Sequence, residues 1–523
     1  MASNSDNAML PAKVTVLVAG GGPSGSYAAS ILAREGINVM VLESQKFPRY
    51  HIGESTLASI RHFLRFIDLE KTFDEYNFAK KFGAAFKLNQ TRDDNYTDFV
   101  ASDPSNYAWN LVRSESDHLM LQHVVSCGGL VFEETRVTDV DFEPVLGSSE
   151  TRPVSAKWRN KAGQTGTVSF DYLIDASGRQ GLLSTKYLKN RVINADFRNV
   201  AVWGYWSGCA EYKPGTLRAG APYFEALTDS SGWAWLIPLN LKYTNESGTA
   251  SIGIVMNQEI ADAKRKDNVN SKPLSAQEHY LQTLELAPTL KSMIEDAELL
   301  RPAGEPVIRS ASDYSYSAQS YAGLNYRIVG DAGAFIDPYF SSGVHLALLN
   351  GLSAAATICA SMKGECQESD AAQWHTTRVD TSYTRFLIIV KSIYREIRSQ
   401  QTPASSENGF DKEFEEIAPV IQGHIDCRTE LSASDMEKLV DFYSRHAYEP
   451  STTEERTNIL ARVQDGSFNN STLTKRENAI LNSLKVRKLY RLEDINRINH
   501  FVEDNIHGRR LKLERGRLGL VEA

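Results

Sequence analysis

Four short groups of residues have the types and spacing to do chemistry. In Gly20-Gly21-Gly22-Pro23-Ser24-Gly25 the glycines allow a tight turn and let the backbone come close to a pyrophosphate. Ser341-Ser342-Gly343-Val344 precedes an apolar stretch beginning at His345, and free N–H groups at a helix start form an anion site, although an ordinary small-residue N-cap reads the same way. Trp233 and Trp235, two positions apart, put two stiff indoles on one face of a strand, either to plug a space or to fill a core. Lys80 and Lys81 are adjacent, so on a strand they point to opposite faces. A partly buried lysine loses its proton more readily and can then act as a nucleophile.

These groups need particular elements to position them. Val14–Ala19 is an unbroken apolar and β-branched run, the mark of a buried parallel strand. Ser26–Leu32 opens a helix, Gly36 stops it, and Asn38–Leu42 gives a second strand ending at Glu43. That carboxylate stands about 20 residues past the turn, where a ribose hydroxyl is held. Strand, turn, helix, strand and terminal acid together mark a dinucleotide site, where a lone glycine motif would be weak. Helical patterns cover Thr56–Leu69 and Glu70–Asn77, and Lys80–Leu88 reads as entry into a strand. Trp109–Arg113 reads as a strand and Ser116–Val125 as a helix; Arg113 suits either a cofactor phosphate or an acidic neighbour.

A strand meander follows in Val137–Phe142, Val154–Trp158 and Val168–Phe170. Tyr172–Asp175 then ends on Asp175-Ala176-Ser177-Gly178, and Tyr326–Val329 ends on Gly330-Asp331. Between them, aromatic and alternating segments from Val192 to Arg309 suggest an antiparallel sheet, interrupted by a helical stretch near Ala276–Glu298. Helices are expected over His345–Ser361 and Ala372–Arg398, with a linker at Ser399–Asn408. The remainder reads as helical, with the basic run His507–Arg517 a solvated tail. The divisions implied are 1–191, 192–320, 321–398 and 399–523.

At 523 residues the chain exceeds a single core. Its net charge of -8 is spread along its length, which gives no reason to expect nucleic acid. Five cysteines without a CxxC pair suit reduced thiols rather than a disulfide framework or a metal site. The polar N-terminus lacks a secretory pattern, and no stretch reads as about 18 consecutive apolar residues, so neither a leader nor a membrane span is expected and the default location is cytoplasmic.

The turn at Gly20–Gly25, the Asp175–Gly178 element and Gly330-Asp331 resemble the cofactor pattern of FAD-dependent enzymes that include aromatic hydroxylases. Within that group, Gly232-Trp233-Ala234-Trp235-Leu236-Ile237-Pro238 resembles the WxWxIP motif of flavin-dependent halogenases, especially the fungal branch acting on phenolic polyketides. Lys80–Ala85 and Asp337–Val344 are also similar to bacterial pyrrole halogenases. The resemblance runs from about Val14 to Ile397. It implies an α/β fold: a three-layer Rossmann-like FAD domain, an antiparallel-sheet substrate domain and a helical C-terminal region.

It further implies FAD, delivered as FADH2 by a separate reductase, with O2 and chloride or bromide. Gly20, Gly21, Gly22, Ser24, Gly25, Glu43, Glu54, Arg113, Asp331 and Val344 would contact the cofactor, and Ser342 and Gly343 would hold halide. Trp233 and Trp235 would keep flavin and substrate apart, while Lys81 would receive hypohalous acid, by hydrogen bond or as a chloramine. Tryptophan halogenases carry a Glu where this chain has Phe340, which favours a free, electron-rich phenol over an indole. His345 would orient the phenol or serve only structure. An aromatic hydroxylase, a halogenase of carrier-bound substrates, or a flavin-binding scaffold that recruits partners through its helical end are the competing readings.

Overall fold

The computed structural model describes residues 10–398, apart from 92, 102, 148, 242–247, 267–273 and 303, and then 505–523, with a few isolated residues between. The first sheet grows from β1 (Lys13–Ala19), buried from Val16 to Ala19 as the centre of a parallel sheet requires. The chain passes through α1 (Pro23–Arg34), whose Pro23 sits where no N–H partner is needed, into β2 (Val39–Leu42), parallel to β1. Two short helices, α2 (Ile60–Phe66) and α3 (Glu70–Glu75), precede β3 (Ala79–Lys81). Then β4 (Gly83–Lys87) and β5 (Asn95–Asp98) pair antiparallel, and β6 (Ala108–Asn110) returns to pair with β3. After α4 (Arg113–Ser126), β7 (Leu130–Phe132) adds beside β2.

The meander consists of β8 (Thr135–Pro144), β9 (Thr151–Asn160) and β10 (Thr165–Asp175). The sequence suggests two strands where the structure has only β10: its first half pairs antiparallel with β9 and its second half runs parallel to β1. Polar Ser169 and Asp171 break the apolar run between those halves, which hides their continuity.

The second sheet, to which β4 and β5 already belong, is continued by the long β11 (Arg191–Ser207), followed by β12 (Tyr223–Ala226), β13 (Gly232–Pro238) and β14 (Ala250–Asn257). Next come α5 (Gln258–Lys266), then α6 (Ala276–Leu284) and α7 (Pro288–Met293) in place of one helical stretch, because Pro288 opens a new helix. The sheet order is β15 (Glu298–Leu299), β11, β14, β13, β12, β4, β5, with β16 (Arg309–Ala318) on the outer edge of β11. It is antiparallel except where β4 runs parallel to β12. Short β17 (Ala322–Gly323) and β18 (Tyr326–Ile328) return to the first sheet beside β10.

Two long helices follow, α8 (Gly343–Met362) and α9 (Glu368–Arg398). Helix α8 is long and apolar enough to cross a membrane by length and composition, but 78% of its apolar window is buried inside the protein. It is a core helix: a Cβ added to its Gly351 would lie 2.8 Å from the Ser24 carbonyl of α1, so the two backbones nearly touch.

The basic run His507–Arg517 is not a solvated tail. It forms much of a hairpin, β19 (Arg509–Lys512) and β20 (Gly519–Glu522), with Leu511, Leu518 and Leu520 buried in the first core. Glu35 accepts from the N–H groups of Gly516 (2.7 Å) and Leu518 (3.1 Å), and Glu365 from Leu520 (3.0 Å). Three leucines in the right register outweigh a local excess of charge. The expected linker, and the helices expected over most of 409–504, lie outside the described residues.

Candidate active site

The turn between β1 and α1 is tight for a structural reason. Gly20 has φ +111°, and a Cβ there would lie 2.2 Å from the Ala176 carbonyl oxygen. At Gly25 a Cβ would lie 2.0 Å from the Gly20 oxygen, so helix and turn meet backbone to backbone. Gly22 caps α1 without a side-chain hydrogen bond, which leaves N–H groups of the first turn for an anion. A cavity of about 570 Å³ starts at this turn, where Gly20, Gly22 and Ser24 line it. Gly21 does not line it; its N–H donates to Glu43 Oε2 at 2.7 Å and so aims that carboxylate along the wall.

Farther along stand Arg113, Asp331 and Glu54. The Arg113 guanidinium is largely taken: it donates to both oxygens of Asp117 and to the carbonyls of Ile52 and Gly53. It braces the loop before Glu54, and Asp117, also paired with Arg49, is held below the usual carboxylate range by burial being outweighed by these cations. Asp331 sits on a short turn whose Gly330 comes within 2.7 Å, by its added Cβ, of Ser24 Oγ. Burial raises its carboxyl pKa against the charges of Arg179, Arg113 and Arg191.

The same cavity is lined by Trp233, Trp235, Phe224 and Ser55 and, from the start of α8, by Gly343 and Val344. The two indoles lie side by side, ring centres 5.8 Å apart. Trp235 faces Gly253 across β14, where a Cβ would lie 2.3 Å from the ring, so the glycine makes room for the indole. Trp233 Nε1 donates to the Tyr394 hydroxyl at 2.9 Å, and Tyr394 donates to Asp337 Oδ2 at 2.6 Å. Helix α9 thus fixes both the indole and the turn that leads to α8. On that turn Ser341 has φ +58°; Ser342 is buried beneath the wall with its Oγ unpartnered, and Gly343 has open space where a Cβ would stand.

Lys81 lies behind this wall. It is 2% exposed and does not line the cavity, but its Nζ donates to Ser55 Oγ and to the Thr56 carbonyl, each at 2.9 Å, and Ser55 does line it. Burial lowers the amine from 10.5 to about 7. Lys80 points the other way, exposed, its amine 4.6 Å from the Tyr107 ring centre. Phe340 is buried against Phe86 and Tyr339 and brings no carboxylate to the region. His345 is buried too, its Nδ1 2.9 Å from Ser59 Oγ between the rings of Phe63 and Phe386, a structural position.

Sequence reasoning missed Ser55, Tyr394 and Asp337. Ser55 follows Glu54 directly and could have been found as a polar residue in that loop; Tyr394 is 161 positions from the indole it holds and carries no local signal.

The donor set suits FAD. A glycine cradle too tight for side chains, a helix start free of side-chain caps, an acid aimed by Gly21 and a long slot closed by indoles match the dinucleotide, its ribose and a flat ring in turn. The profile of the tryptophan halogenase family matches residues 15–104 and 100–418. Flavin-dependent halogenase ascD of Acremonium egyptiacum is 46% identical over 98% of this chain and 93% of its own length. Sulochrin halogenase gedL of Aspergillus terreus is 45% identical over 98% of this chain and 94% of its own. Among solved structures, the myxobacterial chondrochloren halogenase CndH, a variant of FAD-dependent halogenases, superposes with a TM-score of 0.67 at 26% identity, over 93% of this chain and 97% of its own. With profile and relatives spanning most of its length, the chain belongs to the tryptophan halogenase family and is a flavin-dependent halogenase that uses FAD.

Proposed function

We propose that this halogenase chlorinates or brominates a free phenolic polyketide through hypohalous acid delivered to Lys81. The observation that carries the reading is the position of the amine: buried, lowered to about 7, and bonded to Ser55 of the cavity wall without opening into the cavity. Gly20, Gly22 and Ser24, with the start of α1, would hold the pyrophosphate, Glu43 a ribose, and Asp331, Glu54 and Val344 the remaining length of the slot. Bound there in reduced form and met by O2, FAD supplies the oxidising power that converts halide to hypohalous acid. Ser342 and Gly343, at the start of α8, hold the halide. Trp233 and Trp235 keep the phenol out of the slot, and Lys81 hydrogen-bonds the small oxidant or takes up its halogen.

Phe340 supports the phenol. An indole attacked at an unactivated carbon needs a carboxylate to stabilise the ring cation, whereas a phenolate pushes its own electrons into the ring. The 45% identical relative acts on sulochrin, which accords with a substrate of this kind in secondary metabolism. A separate reductase supplies FADH2. The test is incubation with FAD, a flavin reductase, chloride and a panel of resorcinol-type phenols, carrier-bound phenols and free tryptophan. A free phenol that exchanges hydrogen for chlorine is the expected product. Oxygen insertion, or efficient turnover of tryptophan, overturns the reading.

A further inference from the structure

Exchanging a ring hydrogen for halogen, with halide, reduced FAD and O2 as reactants, consumes one proton and releases two waters per turnover. That proton has to reach the inner end of a long slot. We infer that Tyr50, Tyr205 and Glu54 form a relay that carries it from the cavity mouth to the site of halide oxidation; the inference rests on the function proposed above.

The three groups make an unbroken chain of hydrogen bonds. Glu54 is 3% exposed; its Oε1 accepts from the Tyr205 hydroxyl at 2.7 Å, and its Oε2 is buried with no hydrogen-bond partner. The Tyr205 hydroxyl lies 3.0 Å from that of Tyr50, which is 43% exposed. Trp203 Nε1 donates to the Tyr50 hydroxyl at 2.8 Å, and the Arg309 guanidinium lies 4.0 Å from the centre of the Tyr50 ring. Because Tyr205 donates to Glu54, its oxygen accepts from Tyr50, and Tyr50, which lines the cavity, keeps one lone pair beyond the Trp203 N–H to take a proton from water in the cavity; every hydroxyl hydrogen points inward. In one passage the Glu54 O–H breaks as a new O–H forms on the oxygen leaving as water. Glu54 then takes the Tyr205 proton, Tyr205 that of Tyr50, and Tyr50 one from solvent, so neither phenol need ionise.

The surroundings keep the acid usable. Burial pushes Glu54 up to about 7, against the Tyr205 hydroxyl, the nearby Ser251 hydroxyl on β14, and the charges of Arg113 on α4 and Arg309 on β16. Near neutral pH it is therefore partly protonated and able to give a proton. Burial and the neighbouring Glu54 carboxylate hold Tyr50 and Tyr205 above the usual phenol range, which suits relays that stay neutral.

Tyr205→Phe in the full-length, FAD-loaded enzyme tests the relay, with chloride and a chemical trap for hypochlorous acid in place of a phenol. The expected result is unchanged FAD affinity and chloride KM, with the maximum rate of trapped oxidant lowered about 10- to 100-fold, and more so as pH rises through about 7. Infrared difference spectra of FAD-free protein give a readout apart from turnover. A protonated carboxyl band absent from Glu54→Gln should titrate near 7 in the wild type and shift to higher frequency in Tyr205→Phe. Wild-type rate and pH profile in Tyr205→Phe, or loss of FAD affinity alone, overturns the relay, as does a wild-type carboxyl band that does not titrate in this range. Absence of trapped oxidant from the wild type overturns instead the function on which the relay rests.

Discussion

Lys81→Met should stabilise the protein while disabling aryl halogenation. The amine has two hydrogen-bond acceptors, Ser55 and Thr56, and no ion pair among the described residues. Burial lowers its pKa from 10.5 to about 7, so between those values the unfolded chain binds more protons than the folded one, and stability rises with pH across that window. Below about 7 the fold carries the whole penalty of a buried ammonium. At about 1.4 kcal/mol per pKa unit that penalty is roughly 5 kcal/mol at most, and the two hydrogen bonds offset part of it. Methionine fills the same space without charge. Urea unfolding of FAD-free protein should therefore find Lys81→Met more stable than wild type by about 2–4 kcal/mol near pH 6, with the gap closing towards pH 10. Given reductase, FAD and chloride, the variant should still form trappable hypochlorous acid, while aryl chloride falls about 10²- to 10⁴-fold. A variant that chlorinates phenols at the wild-type rate, or one less stable than wild type near pH 6, would refute the reasoning.

The remaining predictions address the cradle, the partition and the hairpin. Gly25→Ala puts a Cβ 2.0 Å from the Gly20 oxygen, so FAD affinity by fluorescence titration should fall more than about 10-fold, whereas Gly36→Ala, in open space at φ +80°, should cost about 1 kcal/mol and leave affinity intact. Trp235→Ala should cost about 3–5 kcal/mol in urea unfolding and divert part of the turnover to free oxidant or oxygenated phenol, seen by mass spectrometry. Leu520→Ala, in the buried strand of the terminal hairpin, should cost about 2–4 kcal/mol and speed proteolysis at the C-terminus; a solvated tail would tolerate it without change.

What could be read from the sequence was local. The strand, glycine turn and helix at Val14–Leu32 declare themselves because their chemistry depends on neighbours in the chain, and the two indoles share a face because they are two apart on β13. Lys81 faces inward and Lys80 outward for the same alternation. Features made by distant pairings were not legible. Nothing in Gly83–Lys87 says that it will run parallel to β12, and nothing in Tyr394 announces Trp233 and Asp337 as its partners. The terminal hairpin was hidden by its charges, and the carboxylates that accept from its backbone N–H groups, Glu35 and Glu365, lie far away in sequence. Arg113 was open between phosphate and acid from its sequence, and the structure joins it to Asp117 one turn along α4.

The most direct test of the account is an experimental structure of the enzyme with FAD and a phenol that it halogenates. The isoalloxazine should lie in the slot on one side of Trp233 and Trp235 and the phenol on the other, out of contact with it, with Lys81 Nζ turned towards the ring carbon that receives halogen. Flavin and phenol in van der Waals contact, or a Lys81 amine turned away from both, would contradict it.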